Sequence, residues 1–221
     1  MSKETHLHTT LKTWYAQTGD LIEADVDGYR IDIVHDNVLI EIQTKHFYNI
    51  REKLNTLLAN HLVHLVFPIA QDKWILRLGE EQKLKNQRRK SPKHGRVEHI
   101  FDELIRFPDL ITHPNFSIEV LMTNEEELWV NDGKGSWRRG GWSIQDRRLL
   151  KVVDRITLAT PGDLRSLLPQ SLPQPFTTRD LANSIPIRQS LARKMAYCLR
   201  QSAVITISGK QGKSYLYRIN D

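Results

Sequence analysis

The sequence predicts an α+β fold whose amino-terminal part runs helix, three strands, helix, strand, and three observations carry that prediction. Apolar residues recur at helical spacing over residues 6–17 (Leu7, Leu11, Trp14, Tyr15) and 47–60 (Ile50, Leu54, Leu57, Leu58). Between them lie short β-branched runs separated by Asp27-Gly28 and by His35-Asp36-Asn37, turn chemistry that joins neighbouring antiparallel strands. Near the carboxy terminus, a short helix, a longer amphipathic helix and a glycine-turned pair of strands follow one another.

Taken in order, the first helix stops at Gly19-Asp20, and strands are expected over residues 21–26, 29–34 and 38–44. A helix over 47–60 then leads to a buried strand over 61–69, a passage long enough for a parallel crossover and hence a mixed sheet. Residues 1–80 form the expected first domain. Residues 81–96 are polar and include Ser91-Pro92; from Lys83 to Arg96 they carry seven Lys or Arg and no acid, and they read as a basic linker. Residues 97–171 form a middle α+β module of unknown role, with an amphipathic helix over 96–107, strands over 116–122 and 127–130 and a turn over 131–135. Trp129, Trp137 and Trp142 gather there among arginines, as a small core under arginine cover or, alternatively, a base-stacking platform. In residues 172–221, Thr177 and Asp180 have capping-box spacing, and the helix over 188–202 turns Leu191, Met195, Cys198 and Leu199 inward. Strands over 204–208 and 213–219 flank the turn 209–212.

Composition narrows the function. The 32 basic and 26 acidic residues leave a net charge of +6, which favours polyanionic partners. The single cysteine, Cys198, rules out an internal disulfide framework and a thiolate zinc site. No run of 18 apolar residues occurs and the first twenty residues are polar, so the expectation is a cytoplasmic protein with no membrane partner. Glycine-rich phosphate loops and a Gly-x-Ser-x-Gly elbow are absent, which sets aside the common routes to nucleotide hydrolysis and acyl transfer. The nine histidines lack zinc-site spacing and read as surface or packing residues.

The chemistry concentrates in Asp32 and Glu41, each set among aliphatic strand residues. Such acids carry a desolvation cost and are tolerated when a divalent cation or another positive charge meets them. If their strands pair as a hairpin, the two acids share one face. Asp32, eight residues, then Glu41-Ile42-Gln43, on this order of elements, resembles the PD-(D/E)XK nuclease-like superfamily over residues 1–78. The resemblance implies a restriction-endonuclease-like αβββαβ core, Mg²⁺ (or Mn²⁺) as cofactor and hydrolysis of phosphodiester bonds. It implies Asp32 and Glu41 as metal ligands, Ile42 as a carbonyl donor and Glu23 as a third carboxylate. Gln43 stands where that family places a lysine that orients the attacking water. Glutamine can position water but brings no positive charge. Lys45, about 7 Å further along the same strand face, is the candidate substitute. The competing reading makes Asp32 and Glu41 a salt-bridged pair with Arg30 or Lys45, Gln43 a buried amide and Lys45 a solvated lysine.

The carboxy-terminal order of elements resembles a winged helix over residues 172–221. That resemblance implies DNA contacts from Arg188, Arg193 and Lys194 on the helix and from Lys210 and Lys213 on the wing. The expected function is therefore a metal-dependent nuclease acting on DNA, and a homodimer is compatible with it. The alternatives are a catalytically inactive, nuclease-like DNA-binding regulator or scaffold, and a protein-interaction module of a defence or repair system.

Overall fold

The computed structural model describes residues 5–78 and 87–220. It is an α+β protein with a mixed seven-stranded sheet and a small carboxy-terminal β-hairpin. Helix α1 (His6–Tyr15) starts at Thr5, whose hydroxyl accepts from the His8 amide. Strands β1 (Leu21–Val26), β2 (Tyr29–His35) and β3 (Val38–Ile42) follow, each antiparallel to the next. The β1–β2 turn works because Asp27 and Gly28 both take positive φ, +50° and +79°, as a tight hairpin turn requires. A 3₁₀ turn (Phe47–Ile50) and helix α2 (Arg51–Leu57) carry the chain to β4 (Leu62–Leu78), which lies parallel to β3 from Val38↔Leu62 to Ile42↔Val66. The expected crossover and mixed sheet are both present.

Beyond this point the sheet outgrows the sequence reading. Strand β4 continues to Leu78, through a register shift between Ala70 and Asp72 that absorbs the polar residues which interrupt its apolar run. Strand β5 (Gln87–Lys90) pairs antiparallel with it inside the segment expected to be a linker; Lys83 and Lys85 of the basic run lie outside the described residues. The two expected strands at 116–122 and 127–130 are one strand, β6 (Phe116–Asn131), parallel to β4. Residues 142–158, to which no element had been assigned, form β7 (Trp142–Leu158) antiparallel to β6. The strand order β1-β2-β3-β4-β6-β7, with β5 on the β4 edge beyond β3, takes the sheet across the expected boundary at 81–96. The expected helix over 96–107 is a 3₁₀ turn (Val97–Ile100) and a single turn, α3 (Phe101–Leu104), ahead of Pro108.

Two apolar layers cover the sheet. On one side Leu7 and Leu11 of α1 pack with Ile33, Ile42, Val66 and Leu121. Full burial of each such side chain contributes about 2 kcal/mol. The larger layer joins β-sheet residues to α2, α3, α4 (Pro161–Ser166), α5 (Thr178–Ser184) and α6 (Gln189–Gln201). Thr177 and Asp180 cap α5 reciprocally, as their spacing predicts. Strands β8 (Ile205–Gln211) and β9 (Ser214–Ile219) close the chain, with Phe176 bridging to Tyr217.

Candidate functional site

Asp32 and Glu41 line one cleft of about 620 Å³. The β2–β3 ladder ends at Ile33↔Ile40, so these acids occupy the next opposed positions, where the strands part. The Ile42 amide donates to Asp32 Oδ2 at 2.9 Å instead of to a backbone carbonyl of β2. On the other side of β2, the pairs Ile22↔Ile33 and Ala24↔Ile31 bracket Glu23, which sits opposite Asp32 and adopts φ +54°. A left-handed non-glycine residue inside a strand costs on the order of 1 kcal/mol and is informative when it falls at a cluster of charges. Glu23, Asp32 and Glu41 thus form a row across three strands, and all three line the cleft.

Cations from both faces of the sheet meet this row. Lys12 of α1 is nearly buried, 2.7 Å from Glu23 Oε1 and 3.8 Å from Asp32 Oδ1, while Arg30 also pairs with Glu23. His8, one helical turn before Lys12, approaches Asp32 Oδ2 at 3.2 Å. Lys53 of α2 donates to Glu41 and to the Arg30 carbonyl. Burial opposes the charge on Asp32, but His8, the Ile42 amide and Lys12 outweigh it and hold the carboxyl below its ordinary range. For Glu41 the balance reverses: burial, reinforced by the negative charge of Asp32, pushes it up to about 7 in spite of Lys53.

The remaining cleft residues fall less simply. Strand β3 stops at Ile42, so Gln43 lies just past its end, with its amide still bonded to the Val66 carbonyl, and Lys45 lies in the bend that follows; the two do not extend a strand face. The Gln43 side chain donates to the His46 carbonyl at 2.9 Å, which uses its amide group to brace that bend. Lys45 is exposed at the cleft wall. The residues that sequence reasoning missed are Lys53, Lys12 and His8. Their signals were present but quiet: His8 and Lys12 are spaced four apart on one helix face, and Lys53 borders the Ile50, Leu54, Leu57 stripe. Among the described residues, no group of three or more His, Cys, Asp or Glu side chains is arranged to hold a metal ion.

At the carboxy-terminal end a second cleft, of about 820 Å³, lies between α5, the start of α6 and the β8–β9 hairpin. Arg193 and Lys213 line it together with Arg179, Gln189 and Tyr215. Arg188 is the exposed residue preceding α6, and Lys210 lies over the Tyr215 ring at 5.3 Å. Lys194 pairs with Asp102 of α3 at 2.7 Å, so it ties this end of the chain to the body.

Residues 5–159 match a protein family described as a domain of unknown function (DUF8091). An uncharacterized protein of Treponema pallidum (strain Nichols) is 32% identical over 220 residues, spanning 98% of this chain and 85% of the relative. No solved structure matches. The chain belongs to the DUF8091 family, whose matched span contains the whole acidic row and the full seven-stranded sheet.

Proposed function

We propose that this member of the DUF8091 family is a divalent-metal-dependent nuclease that hydrolyses phosphodiester bonds in DNA. In this reading residues 1–78 are a restriction-endonuclease-like core and residues 172–221 a winged helix that targets it. The observation that carries the reading is the placement of Asp32 and Glu41 side by side in one cleft, at the point where β2 and β3 part. Both offer oxygen donors, and the repulsion between them that helps raise Glu41 is one that a hard cation would relieve. Asp32, Glu41 and the Ile42 carbonyl would hold Mg²⁺ or Mn²⁺. Bound there, the ion would lower the pKa of a water molecule and neutralise charge on the phosphate.

The chain's own residues do the rest. Lys53 places its ammonium beside Glu41, which supplies the positive charge that Gln43 does not bring. Glu23 holds Lys12 beside Asp32 and so positions a second cation at the cleft. Hydrolysis adds the elements of water across one P–O bond, with the hydroxyl going to phosphorus and the proton to the departing sugar oxygen. Lys53 and Lys12 lie where they can offset the charge that develops on the phosphoryl oxygens. Arg188, Arg193, Lys210 and Lys213 are the proposed DNA contacts of the winged helix. Lys194 has a structural partner in Asp102.

A second reading, a DNA-binding scaffold without catalysis, is favoured by one observation: Lys12 and Lys53 already pair with all three acids of the row. Plasmid and single-stranded DNA incubated with Mg²⁺ or Mn²⁺ separate the two readings. Cleavage by the wild type that is lost in Asp32→Ala and Glu41→Gln supports the nuclease. Equal nicking by all three proteins rejects the site, and binding without nicking selects the scaffold.

A further inference from the structure

The far end of the sheet is charged and aromatic in a way that the cleft does not explain. Residues 131–151 contain six Lys or Arg (Lys134, Arg138, Arg139, Arg147, Arg148, Lys151) against Asp132 and Asp146. Both acids are engaged: Asp132 accepts from the Lys134 amide and Ser143, and Asp146 from the Arg147 amide and, across the fold, from the His6 amide of α1. Arg147 pairs with Glu125, but among the described residues Arg77, Arg138, Arg139 and Arg148 make no carboxylate ion pair. Instead, guanidinium groups alternate with indole rings. Arg77 lies 5.0 Å from the Trp142 ring and 6.0 Å from Trp129, and Arg139 lies 6.0 Å from Trp129.

At the tip of the β6–β7 hairpin, Trp137 is 83% exposed, with the Arg138 guanidinium 5.3 Å from its ring. The loop that presents it is tightly built. The Gly135 amide bonds to the Gly141 carbonyl at 3.0 Å, and a Cβ on Gly135 would meet the Trp142 carbonyl oxygen at 1.9 Å. A braced loop, to which Arg139 contributes by donating to the Trp142 carbonyl at 3.2 Å, therefore holds a large flat ring in solvent beside cations that have no carboxylate partner among the described residues. Ring plus guanidinium suits a partner with an exposed π-face and a phosphate, which single-stranded nucleic acid offers and a duplex, with its bases stacked inward, does not. Part-way down the hairpin, Arg147 reaches the carbonyl of Thr44, a cleft residue, at 3.4 Å. Five strand residues, about 17 Å, separate that contact from Trp142 at the hairpin end.

We propose that the β6–β7 hairpin tip is a docking platform for single-stranded nucleic acid, on which one base stacks against Trp137 while Arg138 and Arg139 hold the adjoining phosphates. The proposal takes from the nuclease reading only the class of partner, and it is tested by binding alone. Full-length protein carrying Asp32→Ala is titrated, with a chelator present, into a fluorescently labelled single-stranded 20-mer and into its duplex, with anisotropy read at two salt concentrations. The expected result is single-strand binding that is about tenfold weaker in Trp137→Ala and restored in Trp137→Phe, with duplex binding little changed by either. Replacing Arg138 and Arg139 by serine should reduce the salt slope by about 1.4, the amount expected for two fewer phosphate contacts on a single strand. An equal loss for strand and duplex in Trp137→Ala, or wild-type affinity for the single strand in Trp137→Ala, overturns the platform. Neither result touches the cleavage test at Asp32 and Glu41, so the two readings fail separately. A matching circular dichroism spectrum for each variant excludes misfolding as the cause of lost binding.

Discussion

Glu41 and Glu119 are both buried in the same sheet, yet burial and the Asp32 charge push Glu41 up to about 7, whereas Glu119 is held down to about 2. Burial works against the charge in both cases, so the difference lies in the partners. Glu119 receives both forks of Arg155 at 2.9 Å, the Tyr15 hydroxyl and a nearby His64. Its carboxylate is satisfied, and through Tyr15 it pins α1 to β6 and β7. Glu41 has the Lys53 ammonium and the Asp32 backbone amide, with the like charge of the Asp32 carboxylate nearby. A chain that satisfies one buried acid fully and leaves the other in an unfavourable ionised state has a structural acid and a candidate reactive one.

Four measurements can break that contrast. Asp32→Ala should lower cleavage at least about 1000-fold, roughly 4 kcal/mol of barrier, measured where the variant is still folded; a variant that cuts like the wild type removes the cleft from the chemistry. Next, Lys53→Ala should slow cleavage about 100-fold while Lys45→Ala changes it only a few-fold. The reverse order would return the water-positioning role to Lys45. Glu119→Gln should destabilise the fold by roughly 3 kcal/mol at pH 7 in chemical denaturation, because the folded pKa lies below the unfolded 4.5. That loss should be present above pH 4.5 and fade as the pH falls towards 2, where Glu119 protonates in both states. The smallest effect has the opposite sign. Glu41, with a folded pKa above the unfolded value, favours folding only when protonated, so its ionisation above pH 7 weakens the fold. Glu41→Gln should therefore stabilise the protein by about 1 kcal/mol at pH 8, with the gain shrinking as pH falls through 7 towards 4.5. A lower midpoint for this variant at pH 8 would make Glu41 a second structural tie.

The amino-terminal meander was legible in the sequence because its information is local. Asp27-Gly28 selects a tight turn, β-branched runs select strands, and face alternation places Asp32 and Glu41 together once the hairpin register is known. The Thr177–Asp180 cap was readable for the same reason, since all its partners lie within one helical turn. Strand β7 was not, because its apolar residues come as adjacent pairs, Leu149-Leu150 and Val152-Val153, among charged ones, which breaks the alternation of a half-buried strand, and the run becomes a strand by completing the ladder of β6. Nor could β4 be followed past its polar Gln71-Asp72-Lys73 stretch, whose backbone groups are satisfied by β6 and by residues 91–95.

At the site, residue types and strand faces settled which acids could meet, and the tertiary structure alone settled what meets them. Lys12 and Lys53 arrive from helices on opposite sides of the sheet, 20 and 12 positions from the acids they neutralise if Asp32 and Glu41 are taken in turn. Periodicity reports a side chain's own neighbours along the chain. The electrostatic state of a buried carboxylate depends on charges that only packing brings within a few ångströms, and on how much water that packing removes.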